Sequence, residues 1–138
     1  MTITIKAYGR FGNDFIRNLC NSLLAEKNNF KINYENTDLI KLGLPLYCGE
    51  NAYNETLTVY ERNFIELYNN PPPNTNILCY HYEHFQLQDI TNLLYNYLNT
   101  DRIKQYIIDK NPFKHRYNNN NDCFIHMRLE DIAEWKCN

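Results

Sequence analysis

The sequence has no long apolar run and no excess of basic residues. No segment approaches the roughly 18 uninterrupted apolar residues of a membrane span, and the N-terminus lacks the basic stretch and apolar core of a signal peptide. The formal net charge is −2 at pH 7, whereas nucleic-acid-binding domains are normally basic. We therefore expect no membrane span, no nucleic-acid partner and a cytoplasmic location.

The cysteines also lack any regular spacing. The five are scattered, contain no C-x-x-C pair and suggest no disulfide framework. Cys79, His81 and His84 lie close together in sequence, but no second Cys or His pair completes a tetrahedral set. We therefore expect reduced thiols and neither a metal nor a bound cofactor.

What the chain does contain is enough apolar residues for one core. Hydrophobic residues make up 43% of the 138 residues and aromatic residues 14%, with 12 Tyr against a single Trp. This length suits one domain, and the apolar content excludes a disordered tail.

The first part of the chain predicts a βαβ unit. Residues 3–8 alternate between apolar and polar, as a strand does, and a glycine turn follows them. After Asn13, apolar residues recur at helical spacing over about fourteen residues, with Asn13 or Asp14 as the expected N-cap. Residues 30–34 then alternate again. Strand, helix and strand in this order predict an α/β fold with a parallel sheet.

The rest of the chain continues the alternation of helices and strands. The pattern between residues 57 and 68 fits either a strand or a helix, and Pro71-Pro72-Pro73 marks a loop. We predict a domain over residues 1–121 and the start of a second over residues 122–138. The other expected elements are a short helix at 37–42, a strand at 77–82, a helix from Leu87, a helix capped by Thr100 or Asp101 that ends at Pro112, a linker at 118–121, a strand at 123–128 and a helix at 131–135.

The glycine turn after the first strand is the first candidate site. Gly9 and Gly12 would let the backbone approach a ligand, and the free N–H groups at a helix start favour a negative or polar group. Arg10 adds a charge that could reach a phosphate. The structural alternative is a tight connection that needs glycine only for its backbone dihedral angles.

The second candidate site is the end of the predicted strand at 123–128. His126 and Arg128 share one face there, and ligands of open α/β sheets bind outside the carboxyl ends of strands. A guanidinium at such a place can hold a diphosphate through two parallel hydrogen bonds. The structural alternative is an ion pair of Arg128 with Glu130 or Asp131, with His126 simply packed.

Together these stretches resemble the α1,2- and protein O-fucosyltransferases. Gly9-Arg10-Phe11-Gly12-Asn13 resembles the G-x-x-G-N turn of that superfamily, although Asp14 stands where Gln is typical. His126-x-Arg128-x-x-Asp131 resembles its H-x-R-x-x-D motif, which binds the diphosphate of GDP-fucose. Between them, the segment from Cys79 to Phe85 is similar in position to a G-Y-F-Q-S-E-K-Y-F segment of the α1,2 group.

The resemblance implies a parallel-sheet, three-layer, Rossmann-like half of a GT-B glycosyltransferase. Such an enzyme transfers fucose from GDP-fucose to a glycan or protein hydroxyl with inversion and without a metal. Arg128 would hold the β-phosphate and His126 would contact the diphosphate, with Asp131 completing the motif. Asn13 would face the fucose and the acceptor, together with Gly9, Arg10, Phe11 and Gly12.

The nucleotide domain of that superfamily begins near its H-x-R-x-x-D motif. We therefore expect this chain to be truncated, and to need either a missing C-terminal half or self-association. Two alternatives stay open from the sequence. One is a non-catalytic α/β binding or scaffold protein derived from such an enzyme, and the other is an unrelated small α/β protein.

Overall fold

The computed structural model describes residues 2–116, which alternate between strands and helices. Short 3₁₀ turns at Glu61–Asn63 and Lys114–Arg116 accompany the main elements. The main elements are β1 (Ile3–Ile5), α1 (Phe11–Asn28), β2 (Ile32–Tyr34), α2 (Asp38–Lys41), β3 (Glu55–Val59), α3 (Phe64–Asn69), β4 (Thr75–Cys79), α4 (Gln88–Leu98) and α5 (Asp101–Lys110).

The described strands form two parallel pairs. β1 pairs with β2 in a register that places Ile3 opposite Ile32, and α1 connects them. β3 pairs with β4 so that Val59 lies opposite Cys79, and α3 connects them. Each pair is thus a βαβ unit, because parallel strands need a crossover connection. The predicted α/β class and the predicted first βαβ unit are confirmed.

Helix α1 is the central packing element, and it is longer than its periodicity predicts. It runs for 18 residues, and a continuous stretch of its residues from Arg17 to Ala25 is buried. The N-cap is Arg10, with extended backbone angles, so the prediction of Asn13 or Asp14 as N-cap is wrong. Asp14 lies one turn inside the helix, where its buried carboxylate bonds to the preceding loop instead of capping the helix.

The core lies between α1 and the two strand pairs. Phe30, Phe64 and Phe85 are its largest fully buried side chains. Phe85 packs edge-on against Phe64, with 5.8 Å between the ring centroids. Aliphatic side chains fill the remaining space; they include Leu19, Leu24, Ile32, Leu39, Val59, Ile77, Ile90 and Ile103. Burial of this apolar surface is the main stabilising contribution to the fold.

The remaining elements mostly match their predictions. The short helix, the proline loop and the two helices before Pro112 are confirmed, and Thr100 is the N-cap of α5. The ambiguous stretch at 57–68 contains the end of β3 and most of α3. The strand predicted at 77–82 is displaced to Thr75–Cys79, because β4 follows the register of β3. None of the helices within residues 2–116 has the length and apolar character to cross a bilayer.

The predictions for the C-terminal part fall outside the described residues. These are the linker at 118–121, the strand at 123–128, the helix at 131–135 and the start of a second domain at residue 122.

Candidate functional site at the carboxyl ends of β1 and β4

The carboxyl ends of β1 and β4 open on one cavity of about 420 Å³. The segment Thr4–Tyr8 lines one side, and Leu78, Cys79 and His81 line the other. Arg17 and Asn21 of α1 line it as well. Ligands of open α/β folds bind outside the carboxyl ends of parallel strands, and cavities of this size accommodate small molecules. This cavity is therefore the strongest candidate for a binding site in residues 2–116.

A buried ion pair fixes the shape of this cavity. The side chains of Asp14 and Arg17 are both about 4% exposed, and 2.5 Å separates Oδ1 of Asp14 from Nη2 of Arg17. Hydrogen bonds from Nη2 also reach the carbonyl oxygens of Lys6 at 3.1 Å and Tyr8 at 3.3 Å. Nη1 donates to the carbonyl oxygen of His81 at 3.0 Å. Arg17 thus ties the end of β1 to the segment after β4.

Asp14 completes the same network from the carboxylate side. Oδ1 accepts a hydrogen bond from the backbone N–H of Tyr8 at 3.1 Å, and Oδ2 accepts one from Nδ2 of Asn36 at 3.0 Å. Asp14 therefore holds the loop after β1 from the side of α1. The i,i+3 spacing of Asp14 and Arg17 is the sequence signal that could have revealed the pair.

Some N–H donors of Arg17 have no acceptor in residues 2–116. A guanidinium carries five N–H donors. In Arg17, Nη1 donates one hydrogen bond and Nη2 donates to three acceptors, whereas Nε–H has no acceptor in residues 2–116. Arg17 lines the cavity, although only about 4% of its side chain is exposed.

Gly9 and Gly12 of the predicted turn differ in whether the backbone conformation requires a glycine. Gly9 has φ of +82°, in the left-handed region that side chains rarely adopt. Gly12 has no such angle, lies inside the first turn of α1, and a Cβ there would meet no described atom within 4 Å. The explanation by dihedral angles therefore applies to Gly9 and not to Gly12.

Two of the three predicted motifs meet at this edge. Asn13 is half-buried at the head of α1, and its Oδ1 accepts a hydrogen bond from Nε2 of Gln86 at 3.4 Å. That contact joins the glycine turn to the end of the Cys79–Phe85 segment. Arg10 and Phe11 are exposed beside Asn13. The third motif, with His126, Arg128 and Asp131, lies outside the described residues.

A cluster of aromatic side chains lies beside the cavity. The motifs in the sequence did not predict this cluster. The rings of Tyr8 and Tyr82 meet edge-on with centroids 5.4 Å apart, and Tyr8 and His81 do so at 5.9 Å. The centroids of His81 and Tyr82 are only 3.9 Å apart. We name Tyr8, His81 and Tyr82 the aromatic shelf. The run Tyr80-His81-Tyr82 directly after a strand was the available sequence signal.

Cys79, His81 and His84 do not converge on one point. Cys79 is buried, whereas His81 and His84 are exposed. Burial and the neighbouring thiol of Cys20 raise the pKa of Cys79 well above its ordinary value, which keeps this thiol protonated. In the part of the chain that the structure describes, no three His, Cys, Asp or Glu residues form a metal-binding group.

Two smaller cavities of about 350 and 250 Å³ lie beside the C-terminal half of α1. They share Glu26, Tyr97 and Arg102 in their lining. Neither lies at a carboxyl end of the strands, so they are weaker candidates for the main site. Comparisons of the chain with protein-family models, with curated proteins and with solved structures found no match.

Proposed function

We propose that this chain is a fucosyltransferase-like glycosyltransferase that transfers fucose from GDP-fucose to a glycan or protein hydroxyl with inversion. Residues 2–116 would be the Rossmann-like half of a GT-B fold, and its glycine turn at residues 9–13 would face the fucose and the acceptor. The observation that carries the proposal is Gly12, a glycine that the described fold does not itself require.

The position of Gly12 supports close approach of a ligand. Glycine in the middle of a helix destabilises it by roughly 0.5–1 kcal/mol relative to alanine, and Gly12, in the first turn of α1, carries at most that cost. No described atom would meet a Cβ at residue 12, so packing within residues 2–116 does not offset that cost. A ligand that contacts the backbone at the head of α1 would be excluded by a side chain there. This agrees with the role of the second glycine in the G-x-x-G-N turn.

The proposed reaction is a single displacement. The oxygen of the acceptor hydroxyl attacks the anomeric carbon of fucose and its proton passes to solvent, while the bond from that carbon to the β-phosphate oxygen breaks and GDP leaves with the bonding electrons. Arg128 would neutralise the charge that develops on the leaving diphosphate, which is often the largest contribution to such catalysis. His126 and Asp131 would position the diphosphate, and Asn13 would contact the fucose beside Gly9, Arg10 and Phe11.

The test measures binding of isotopically labelled GDP-fucose by the full-length chain. We expect Gly12→Ala to fold with equal or higher stability and yet to bind the donor about ten-fold more weakly, because the methyl group blocks the backbone. Arg128→Ala should weaken binding by about ten-fold or more, because a charged hydrogen-bonding partner of the diphosphate is lost.

Arg102→Ala is the matched control, because Arg102 lines the cavities beside the C-terminal half of α1 and not the proposed site. It should bind GDP-fucose as the wild type does. If Gly12→Ala and Arg128→Ala also bind like the wild type, the site assignment is wrong. Release of GDP in the presence of an acceptor separates a transferase from a protein that only binds the donor.

A further inference from the structure

We infer that the aromatic shelf is a stacking surface for one pyranose ring, with the hydroxyl groups of that ring directed into the cavity towards Arg17 and Lys6. The inference rests on the proposed function in one respect, since this sugar would be the acceptor substrate. It favours a glycan over a protein segment as the acceptor. The shelf and the cavity are features of the described residues, so the binding step can be tested without the donor.

The rings of the shelf are exposed although they contact one another. Tyr8 is 47% exposed and Tyr82 is 58% exposed, and their planes are almost perpendicular at 87°. Aromatic rings that are merely packed bury most of their surface. Tyr8 lines the cavity and Tyr82 lies against Tyr8, so exposed apolar ring surface adjoins the cavity, which is typical of a small-molecule binding site.

Hydrogen bonds with two buried side chains hold the backbone of the shelf in place. Arg17 donates hydrogen bonds to the backbone carbonyls of Tyr8 and His81, and its guanidinium carbon lies 5.7 Å from the centroid of the Tyr8 ring. Asp14 accepts a hydrogen bond from the backbone N–H of Tyr8. A surface that is already ordered loses little conformational entropy on binding. The buried ion pair therefore preorganises the rings for a ligand.

Polar groups next to the shelf match the rim of a sugar. A pyranose has apolar C–H groups on its ring face and hydroxyl groups around its edge. Because the two tyrosine rings are almost perpendicular, the face can pack on one of them while the other lies against the edge of the sugar. The edge can accept hydrogen bonds from the remaining N–H donors of Arg17 and from the ammonium of Lys6, which both line the cavity.

The charge balance favours a neutral ligand over an anion at the shelf. Asp14 neutralises Arg17, and the carboxylate of Glu35 accepts a hydrogen bond from the backbone N–H of Ala7 at 2.7 Å, beside Lys6. A neutral polyol with one apolar face fits these features best.

The experiment titrates the full-length chain with methyl β-galactoside, methyl β-glucoside and methyl α-mannoside, followed by ligand-observed NMR. We expect at least one glycoside to bind with a Kd on the order of 1–10 mM. Tyr8→Ala and Tyr82→Ala should each weaken that binding by about ten-fold, because a stacking surface is removed. Tyr82→Phe should bind like the wild type, because it keeps the ring.

Tyr95→Ala is the matched control, since Tyr95 is an exposed tyrosine on α4 outside the aromatic shelf. It should bind like the wild type, and circular dichroism should show every variant folded. Absence of binding by all three glycosides overturns the inference, as does equal binding by Tyr8→Ala, Tyr82→Ala and the wild type. Displacement of the glycoside by GMP would show that the shelf is a nucleotide site instead.

The two proposals fail in different ways. In the first case, a glycoside binds through Tyr8 and Tyr82, but Gly12→Ala and Arg128→Ala do not change GDP-fucose binding. The inference about the shelf is then supported and the fucosyltransferase proposal is wrong. If GDP-fucose binding depends on Gly12 and Arg128 while no glycoside binds, the transferase proposal stands and its acceptor does not use the shelf.

Discussion

At the scale of single residues, Arg17 determines the arrangement of the candidate site. It is 3% exposed, pairs with Asp14 and donates to three backbone carbonyls from two separate segments. A buried charge is strongly destabilising when its partner is removed, although the intact pair contributes little net stability. The network therefore acts mainly by specifying one geometry of the loop after β1.

We predict that Arg17→Met destabilises the protein by about 3–5 kcal/mol, because it leaves the Asp14 carboxylate buried without its counter-charge. The double variant Asp14→Leu, Arg17→Met should recover part of that loss. Urea unfolding followed by circular dichroism measures both.

Lys41→Met provides the control, because the Lys41–Asp38 pair has the same i,i+3 spacing but about 70% exposed side chains. Its effect should stay within about 1 kcal/mol, as for other surface ion pairs. Similar losses for Arg17→Met and Lys41→Met would contradict the structural role of the buried pair.

The site residues differ in how far the sequence could reveal them. Gly9 and Gly12 stand out by spacing, because few residue types suit a turn with positive φ or a close backbone approach. Arg17 does not stand out, because a charged residue on a helix usually faces solvent. Its burial depends on carbonyls of Lys6 and His81, 11 and 64 residues away in the chain, which local patterns cannot predict.

At the scale of elements, apolar periodicity predicted the main helices, whereas the sequence predicted only one of the two strand pairings. Helices α1, α4 and α5 follow their apolar spacing, and the parallel pairing of β1 with β2 follows from the βαβ order. Strand β3 was ambiguous because the stretch from Leu57 to Tyr68 mixes strand and helix signals. In the structure only Val59 of this strand is buried. Its pairing with β4 decides its conformation.

The loop between α2 and β3 is clamped onto the end of α1, and Gly49 is the residue that allows it. A Cβ at Gly49 would overlap the backbone carbonyl of Phe30. Beside it, the backbone N–H groups of Lys31 and Asn51 donate to the carbonyls of Asn51 and Asn29 at 2.6 and 3.1 Å. This clamp covers the fully buried Phe30.

We predict that Gly49→Ala destabilises the protein by about 2–4 kcal/mol, because backbone atoms cannot move aside as a flexible side chain can. Thermal unfolding measures the loss, and hydrogen exchange at the Lys31 and Asn51 amides should accelerate. Gly12→Ala is the comparison, since a Cβ there meets no described atom within 4 Å. Equal stability of Gly49→Ala and the wild type would show that the loop is not clamped at this point.

At the scale of the whole molecule, the core contains titratable groups that must stay neutral. Burial raises the pKa of the Tyr34 hydroxyl, which donates a hydrogen bond to the carbonyl of Tyr47 at 2.7 Å. Burial, with Cys20 as the next cause, raises the pKa of the Cys79 thiol. In the unfolded chain both groups ionise near their ordinary values of 10.0 and 9.0.

We predict that the free energy of unfolding is constant from neutral pH to about pH 8.5 and falls above about pH 9. Both folded pKa values exceed the unfolded ones, so at alkaline pH the unfolded state loses protons that the folded state keeps. Urea unfolding at intervals between pH 7 and pH 10.5 measures this slope.

Tyr34→Phe should reduce the slope above about pH 10 while costing about 1 kcal/mol at neutral pH for the lost hydrogen bond. Tyr95→Phe is the control for loss of an exposed tyrosine hydroxyl, and it should leave the free energy of unfolding at neutral pH unchanged. An identical slope for Tyr34→Phe and the wild type would show that Tyr34 ionises equally in both states.

The hydrogen bonds of Arg17 affect which amino-acid substitutions the site can accept during evolution. Arg17 binds the main chain at residues 6, 8 and 81, and so these hydrogen bonds do not depend on the side chains at these positions. Substitutions at those residues can alter ligand preference while the supporting frame stays intact. The rim of the cavity is thus well suited to acquiring new specificities, and a library randomised at these three positions would be a natural starting point for redesign.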